Sequence, residues 1–135
     1  MRFRQGVIRA YLELAPLAIA VERLQEARLY AKEGLEAPIL DLGCGDGIFA
    51  QAVFLDKIDL GIDLDPAEID RSKATGAYSR LVCCPGNAVP EPDGSYKTII
   101  SNSVLEHIPE LLPVLREARR LLAPGGVFLL AVPSP

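Results

Sequence analysis

The fold of this chain is decided by residues 39–47, which read ILDLGCGDG. A short and mostly apolar run opens this stretch, and three glycines follow within five positions. The apolar run predicts a buried strand, and the glycines predict a tight turn at its end. Glycine also lets a ligand approach bare backbone, and the amides at the start of a following helix favour anions. The stretch therefore predicts a strand, a ligand-binding turn and a helix in succession.

Strands and helices alternate along the rest of the chain. Apolar runs predict four further strands, and the segments between them carry the signals that begin and end helices. Strands with little internal polar alternation, flanked by helices, form parallel sheets that are covered on both faces. The predicted fold class is therefore α/β, with a doubly wound and mainly parallel sheet. Its five strands are predicted at residues 39–42, 58–62, 81–83, 98–101 and 127–132.

Helix signals are clearest after the second and fourth strands. Asp65 is placed to be an N-cap, with Pro66 at the first helical position and Glu68 closing a capping box. After the fourth strand, Pro109 is predicted to open a helix that the Pro-Gly-Gly segment at 124–126 ends. A shorter helix is predicted over residues 47–54, directly after the glycine turn.

The N-terminal part of the chain has a different pattern. Apolar residues recur at helical spacing over residues 7–33, which predicts a helix in two pieces around Pro16. We therefore divide the chain into an N-terminal helical segment, residues 1–36, and a ligand-binding domain, residues 37–135.

Asp63 follows the second strand, 20 residues after Gly43. A carboxylate at this place in a doubly wound fold can accept hydrogen bonds from both hydroxyls of a ribose. Together with the glycine turn, it predicts an adenosine-containing ligand. The dinucleotide fingerprint G-x-G-x-x-G would need glycine or alanine at position 48, where this chain has Ile48. A nicotinamide-dependent oxidoreductase is therefore a disfavoured alternative.

Five segments resemble, in order, the sequence blocks of class I S-adenosylmethionine-dependent methyltransferases. Together they cover roughly residues 37–132, and five ordered matches are more specific than any one of them. The resemblance implies a Rossmann-like methyltransferase fold, S-adenosyl-L-methionine as cofactor and S-adenosyl-L-homocysteine as product. It also implies methyl transfer to a small-molecule acceptor by in-line attack on the sulfonium methyl. The segments are ILDLGCGDG at 39–47, GIDLDP at 61–66, DGSY at 93–96, SNSVLEHIP at 101–109 and LAPGG at 122–126.

The resemblance also assigns roles to individual residues. The loop at residues 43–47 would hold the methionine portion of the cofactor, and Asp41 would support the loop and the cofactor's amino group. Asp63 would bind the ribose hydroxyls, and Leu64 would pack on one face of the adenine. The pair at 87–88 would meet the adenine ring. The full implied set is Asp41, Gly43, Cys44, Gly45, Gly47, Asp63, Leu64, Asn87, Ala88 and Asn102.

Two residues depart from the family's pattern. Asn87 stands where an acidic residue is common, so its amide oxygen accepts a hydrogen bond without the charge assistance of a carboxylate. Lys97 stands where relatives usually carry aspartate. Both departures motivate an alternative, in which the chain is a non-catalytic, methyltransferase-like binding module or the partner subunit of another protein.

His107 is the only histidine and the candidate catalytic residue, because imidazole exchanges protons near neutral pH. The alternative is structural, with the imidazole capping or packing in the Glu106-His107 turn. Ubiquinone-pathway O-methyltransferases carry a Glu-x-x-Glu-His arrangement here, whereas this chain has Ser103 at the place of the first carboxylate. No metal site is therefore predicted.

Composition narrows the range of partners. The 14 basic and 18 acidic residues give a net charge of −4, so no bulk basic field predicts a nucleic-acid partner. The longest apolar run near the start, residues 14–21, is too short to cross a bilayer and contains Pro16, so membrane contact is not expected. The cysteines Cys44, Cys83 and Cys84 show neither a disulfide framework nor a zinc pattern, which predicts a reducing, cytoplasmic location.

The end of the chain carries a prediction of its own. The family's sheet normally has more strands than the five found in this sequence, and residues 132–135 follow directly after the fifth strand. We therefore expect a C-terminally truncated domain whose fourth or fifth strand has an exposed edge. Such an edge predicts homo-oligomers formed through it.

Overall fold

A computed structural model describes residues 1–14 and 16–132 of the chain. Within these residues five parallel strands form a single sheet with helices on both faces, which confirms the predicted α/β doubly wound fold. The strands are β1 (Ile39–Leu42), β2 (Ile58–Asp63), β3 (Tyr78–Cys83), β4 (Tyr96–Asn102) and β5 (Leu122–Ala131). The helices are α1 (Val7–Leu12), α2 (Leu17–Glu33), α3 (Ile48–Val53), α4 (Pro66–Thr75) and α5 (Leu111–Leu121).

The sheet has the order β3-β2-β1-β4-β5, so the chain leaves the centre toward one edge and then returns to build the other. Parallel sheets of this kind bind ligands beyond the carboxyl ends of the strands, at the point where the strand order reverses. That point lies between β1 and β4, next to the glycine turn. The last three residues of the predicted ligand-binding domain, 133–135, lie outside the described residues.

Two apolar clusters fill the space on either side of the sheet. On one face, Tyr11 of α1 and Tyr30 of α2 pack in the same cluster as Ile39 of β1 and the buried face of α3. On the other face, Leu121 of α5 packs with Leu40 and other residues of β1, β2 and β4. The N-terminal segment is helical in two pieces, as predicted, and Pro16 occupies the N-cap of α2.

Two strands are longer than the apolar runs that predict them. β3 begins at Tyr78, three residues before the predicted strand. It is an edge strand whose second and third residues are exposed and polar, so its first half is missing from the apolar run. β5 begins at Leu122, which pairs with Tyr96 before the register shifts. Pairing resumes at Val127, so the intervening residues 123–126 bulge out of the ladder. In β3 and β5, the apolar run therefore marks only the regular, half-buried part of the strand.

The helix after β4 begins later than predicted. Residues Leu105–His107 form a 3₁₀ helix, Ile108 is extended as expected before a proline, and α5 opens at Leu111 with Glu110 as its N-cap. The prediction that Pro109 opens this helix is therefore wrong by two residues. Pro113 lies in the first turn of α5, where its missing N–H costs no hydrogen bond.

Of the capping box predicted for α4, the N-cap residue is confirmed and the residue that would close the box is not. The Asp65 side chain accepts a hydrogen bond from the Ala67 amide, at 2.8 Å, as an N-cap should. Glu68, however, pairs with Arg71 instead of closing the capping box. The amide of Asp65 donates to Asp63 Oδ1 at 2.9 Å, so the donor that Glu68 would have satisfied is already used.

The outer edge of the sheet is formed by β5, which within residues 1–14 and 16–132 pairs with β4 alone. Val127 and Leu130 on this strand are 48% and 47% exposed. The expected exposed edge is therefore found at the fifth strand, and association of two chains through it stays a prediction. No helix in the described part of the chain is long and apolar enough to cross a membrane.

Gly61 in β2 is required by the side chains that cross it. A Cβ at this position would lie 2.8 Å from both the Tyr78 ring and Leu81, which is closer than such atoms approach. Because the strand is bare here, the Tyr78 ring passes over β2 and its hydroxyl reaches Asp41 on β1. Gly61 is therefore a packing requirement of the central sheet.

The substitution Gly61→Ala is expected to lower the free energy of unfolding by about 1–3 kcal/mol, because the added methyl overpacks the interface with Tyr78. Urea unfolding followed by circular dichroism measures this change. Gly86→Ala is the matched control, since a Cβ there meets its nearest atom at an ordinary 3.4 Å. Equal losses in the two variants would contradict the packing role.

Candidate functional site

The site is a groove over the carboxyl ends of β1, β2 and β4. It consists of two cavities, which we call cavity A, about 520 Å³, and cavity B, about 550 Å³. Cavity A lies toward β3, and cavity B lies under the N-terminal helices. The residues that line both are Gly43, Asp63, Val104, His107 and Ile108. Because these five residues are shared, the two cavities adjoin, with the contact between Gly43 and Val104 at their common wall.

The glycine turn forms the floor between the two cavities. The amides of Gly43 and Cys44 both donate to the carbonyl of Ile62, at 2.9 and 2.8 Å, so the turn is fastened to the end of β2. Gly43 has a φ of +81°, and a Cβ there would lie 2.5 Å from the side chain of Val104. Glycine is therefore needed at position 43 for both backbone conformation and close contact. Gly43, Cys44 and Gly45 line cavity B, whereas the predicted Gly47 lines neither cavity and lies against Ser72 of α4.

Asp63 lies where the two cavities meet and lines both of them. Its Oδ2 accepts from the Gly45 amide at 3.0 Å, and its Oδ1 accepts from the Asp65 amide at 2.9 Å. A carboxylate has about four lone-pair positions, so each oxygen keeps one for a ligand. Two hydrogen bonds to backbone fix the direction in which these positions point. The geometry suits a pair of neighbouring hydroxyls.

Asp41 lies directly beneath the glycine turn, 4% exposed, and lines cavity B. Its Oδ2 accepts a hydrogen bond from the Tyr78 hydroxyl at 2.6 Å. Burial raises the pKa of Asp41 to about 7, the hydrogen bond from Tyr78 opposes this, and the nearby charge of Asp63 adds to it. Burial also raises the pKa of Tyr78, so the phenol remains the donor. Sequence reasoning missed this partner, because Tyr78 lies two strands away.

The predicted adenine contacts are only partly brought together. Leu64 is 71% exposed at the rim of cavity A, and Asn87 lines the same cavity. Ala88 lines neither cavity, and its amide donates to the Pro85 carbonyl at 3.2 Å. Its contact with an adenine ring stays a prediction. Cys84 also lines cavity A, where burial raises the pKa of its thiol to about 11.

The loop that carries Asn87 is held by α5. Glu117 Oε1 accepts from the Val89 amide at 2.8 Å, and Arg120 donates to the carbonyls of Val89 and Glu91. Arg120 also pairs with Glu117 and Asp93, and these acidic partners raise the pKa of the guanidinium. The wall of cavity A is therefore fixed by an ion-pair network outside the groove. These bonds join residues 27 to 31 positions apart, so they gave no local sequence signal.

His107 ends the 3₁₀ helix and lines both cavities. Its side chain is 78% exposed, and Nε2 lies 3.8 Å from Glu106 Oε1. The imidazole is thus at the mouth of the groove, where it can reach a molecule entering from solvent. Within the described residues, no group of three or more His, Cys, Asp or Glu side chains is arranged to hold a metal ion.

Cavity B has a polar wall in which the predicted residue Asn102 meets partners on α2 that sequence reasoning did not single out. Arg23 and Glu26 of α2 form an ion pair at 2.7 Å, with side chains 20% and 18% exposed. Glu26 also accepts from Asn102 Nδ2 at 2.9 Å, and Arg23 donates to Ser103 Oγ at 2.8 Å. These bonds fasten α2 to the carboxyl end of β4. From the sequence alone, charged residues such as Arg23 and Glu26 in an amphipathic helix are expected on its solvent-exposed face.

The fold and the site together define a class of protein. Its members have a doubly wound sheet, with a glycine turn and a carboxylate suited to a ribose at the point where the strand order reverses. Comparison with known proteins then specifies the family. The sequence model described as "Methyltransferase domain" matches residues 40–130. The chain belongs to this family, and S-adenosylmethionine is its cofactor.

Individual relatives agree with this membership. The chain is 34% identical over 94 residues to an uncharacterized methyltransferase of Mycobacterium sp. (strain JLS), covering 69% of this chain and 37% of that protein. It is 31% identical over 121 residues to a malonyl-[acyl-carrier protein] O-methyltransferase of Halorhodospira halophila, covering 85% and 39%. A SAM-dependent methyltransferase structure of Thermotoga maritima has a TM-score of 0.71 at 21% identity, covering 81% and 50%. The chain thus spans half or less of the length of these relatives.

The raised pKa of Asp41 predicts how stability depends on pH. The folded chain keeps the Asp41 proton up to about pH 7, whereas the unfolded chain releases it near its ordinary value of 3.8. Between these two values the free energy of unfolding therefore falls as pH rises, by on the order of 1 kcal/mol per pH unit. Above pH 7 this contribution is constant.

The variant Asp41→Asn is neutral at every pH and can still accept the Tyr78 hydrogen bond. Its stability relative to the wild type should therefore rise between pH 5 and pH 7, as urea unfolding at a series of pH values will measure. Asp70→Asn, on the exposed face of α4, is the control and should stay parallel to the wild type. Parallel curves for Asp41→Asn and the wild type would contradict the assignment.

Proposed function

We propose that this chain binds S-adenosylmethionine along the groove and transfers its methyl group to a small-molecule acceptor in the cytoplasm. The observation that carries the proposal is the position of Asp63, whose carboxylate lies where cavities A and B meet. A ribose bound there would direct the adenine into one cavity and the methionine end into the other. Each cavity has the residues that its half of the cofactor requires.

Cavity A suits an adenine ring. Its lining is largely apolar, with Leu42, Ile62 and Val114 beneath the space and Leu64 at the rim. Asn87 supplies a polar group at the same wall. Flat apolar walls with few polar groups are typical of sites for purine-sized ligands. We propose that Leu64 covers one face of the ring and that Asn87 accepts its amino hydrogens.

The charge of cavity B favours a cationic ligand. Four carboxyl groups line it, of which Asp41 keeps its proton up to about pH 7, and Arg23 is the one basic side chain among the described lining residues apart from His107. A sulfonium group is stabilised by such surroundings, whereas the two negative charges of a dinucleotide pyrophosphate are repelled. This balance supports the methyltransferase over a nicotinamide-dependent oxidoreductase. The four carboxyl groups are those of Asp41, Asp46, Asp63 and Glu68.

When bound, S-adenosylmethionine supplies a methyl group that its sulfonium already activates. The chain's task is then to position the acceptor and to take up a proton where the acceptor carries one. His107 lies at the mouth of the groove and is proposed for the second role. The acceptor would be positioned by the rim of cavity B, where Leu14 and Ile19 are 47% and 42% exposed. This rim favours an acceptor with an apolar body.

Of the two departures that motivate the alternative, a non-catalytic binding module, only Asn87 lies at the site. Lys97 lines neither cavity, and its ammonium group lies 3.5 Å from Glu36 at the amino ends of β1 and β4, opposite the groove. Its departure from the family's pattern therefore leaves the groove unchanged. Asn87 does line cavity A. Binding of the cofactor without methyl transfer from labelled donor to any acceptor in an untargeted screen would favour this alternative.

Replacing the carboxyl group of Asp63 should strongly weaken cofactor binding. Asp63→Ala loses two ribose hydrogen bonds to a charged acceptor, so affinity for S-adenosylhomocysteine should fall by roughly 100-fold or more. Isothermal titration calorimetry measures the dissociation constant.

The control is Asp70→Asn, an exposed carboxyl group on α4 whose loss should leave affinity unchanged. Circular dichroism verifies that each variant is folded, because Asp63 also holds the Gly45 amide. Folded wild-type protein that gives no heat with the ligand at high micromolar concentration would overturn the proposed function. Unchanged affinity in Asp63→Ala would overturn the ribose assignment.

A further inference from the structure

The two N-terminal helices present an apolar surface that is not part of the groove. Leu12 of α1 is 50% exposed, and Leu17 and Val21 of α2 are 62% and 44% exposed. Ile8 lies one turn before Leu12, and Leu24 lies one turn after Val21, so each helix carries a single apolar stripe. None of these five side chains lines cavity A or cavity B. Contiguous exposed apolar surface of this kind marks an interaction site.

The two stripes lie side by side and form one surface. Ile8 of α1 and Leu24 of α2 line the same apolar groove, about 310 Å³ in volume, together with Phe3. We call this surface the N-terminal apolar face and define it by Ile8, Leu12, Leu17, Val21 and Leu24.

The N-terminal apolar face has basic residues at its border. Arg4 and Arg28 line the apolar groove, both are exposed, and neither forms an ion pair with a described residue. Arg9, also exposed, lies next to Ile8 on α1. The face therefore combines aliphatic side chains with guanidinium groups that are free to meet anions.

Charge is distributed unevenly between this segment and the rest of the chain. Residues 1–32 hold six basic and three acidic residues, whereas residues 33–135 hold eight basic and 15 acidic residues. Two of the three acidic side chains in the first segment, Glu13 and Glu26, are paired with arginines of the same helices. A negatively charged surface would therefore attract the N-terminal segment and repel the remainder, which orients the molecule.

We propose that the N-terminal apolar face docks on the surface of an anionic lipid bilayer. Its aliphatic side chains enter the region between headgroups and acyl chains, and Arg4 and Arg28 lie at the phosphate groups. A bilayer accepts Leu, Ile and Val without requiring hydrogen bonds from them. Apolar residues flanked by arginines are the composition that binds such an interface.

A second copy of this chain suits the face less well. In a two-fold dimer the same patch meets itself, so Arg4 and Arg28 would lie close to the arginines of the other copy. Like charges at an interface repel each other. An anionic partner removes this repulsion and uses the arginines.

Membrane contact was not expected from the sequence, because the apolar run at residues 14–21 is too short to cross a bilayer. A helix that lies on the membrane surface needs only one apolar face. That face is formed by two helices together, so neither apolar stripe predicts it alone.

Co-sedimentation with vesicles tests the proposal at two lipid compositions. One is phosphatidylcholine alone, and the other is equal parts of phosphatidylcholine and phosphatidylglycerol. Wild-type protein should bind the anionic vesicles roughly 10-fold or more tightly than the neutral ones, because each arginine near an anionic surface contributes to binding. Raising the salt concentration should weaken the binding, since salt screens exposed charges.

Two double variants separate the apolar and the basic contributions. Leu12→Gln combined with Leu17→Gln should lower affinity for anionic vesicles by roughly 10- to 100-fold, because two leucines no longer bury their exposed surface. Arg4→Gln combined with Arg28→Gln should lower it by roughly 10- to 30-fold. Circular dichroism verifies that each variant is folded.

Matched controls make the same chemical changes elsewhere. Leu29→Gln combined with Leu112→Gln replaces leucines that are 60% and 56% exposed but lie off the N-terminal apolar face. Arg116→Gln combined with Arg119→Gln changes the net charge equally on α5, which covers the other face of the sheet. Both controls should keep wild-type affinity for the anionic vesicles.

Four outcomes would overturn the proposal. These are the absence of vesicle binding by wild-type protein, equal binding to both lipid compositions, and equal losses in the variants and their controls. The fourth is a wild-type dimer in size-exclusion chromatography that the paired leucine substitutions convert to a monomer, because the face would then belong to a second copy. Vesicle binding needs no cofactor, so each of these results leaves the proposed function standing.

Discussion

The hydrogen bond between Tyr78 and Asp41 is the constraint on which the rest of the site depends. It joins an edge strand to the central strand across β2, and it exists only because Gly61 leaves room for the tyrosine ring. The carboxyl group that it holds lies beneath the glycine turn, and burial raises the pKa of this group toward neutrality. A polar pair therefore lies next to the turn in an otherwise apolar layer. A single bare position in β2 thus determines how the carboxyl group next to the ligand-binding loop is held.

Above this pair, the groove is organised around Asp63. Its two backbone hydrogen bonds shape the glycine turn on one side and the start of α4 on the other. The outer walls are fastened separately, cavity A by Glu117 and Arg120 of α5 and cavity B by Arg23 of α2. The central floor is built from short sequence motifs. The walls come from elements that are distant in sequence.

The sequence predicted the floor well and the walls poorly. Local signals, such as the strand at 39–42 and the Asp65 cap, depend on neighbours within a few positions, and the structure bears them out. Tyr78 and Arg23 bind partners 37 and 80 residues away, and periodicity describes them only as a strand residue and a helix-surface residue. Edge strand β3 was underestimated because exposed strands carry polar residues. Long-range pairing of polar groups has no local pattern from which it can be inferred.

The central claim is that one molecule of cofactor spans both cavities, with its ribose at Asp63. A crystal structure of this chain with S-adenosylhomocysteine tests it most directly. We expect both ribose hydroxyls within hydrogen-bond distance of the Asp63 carboxylate, the adenine against Leu64 in cavity A, and the amino-acid portion of the ligand against the glycine turn in cavity B. A ligand confined to one cavity, or a ribose turned away from Asp63, would contradict the account.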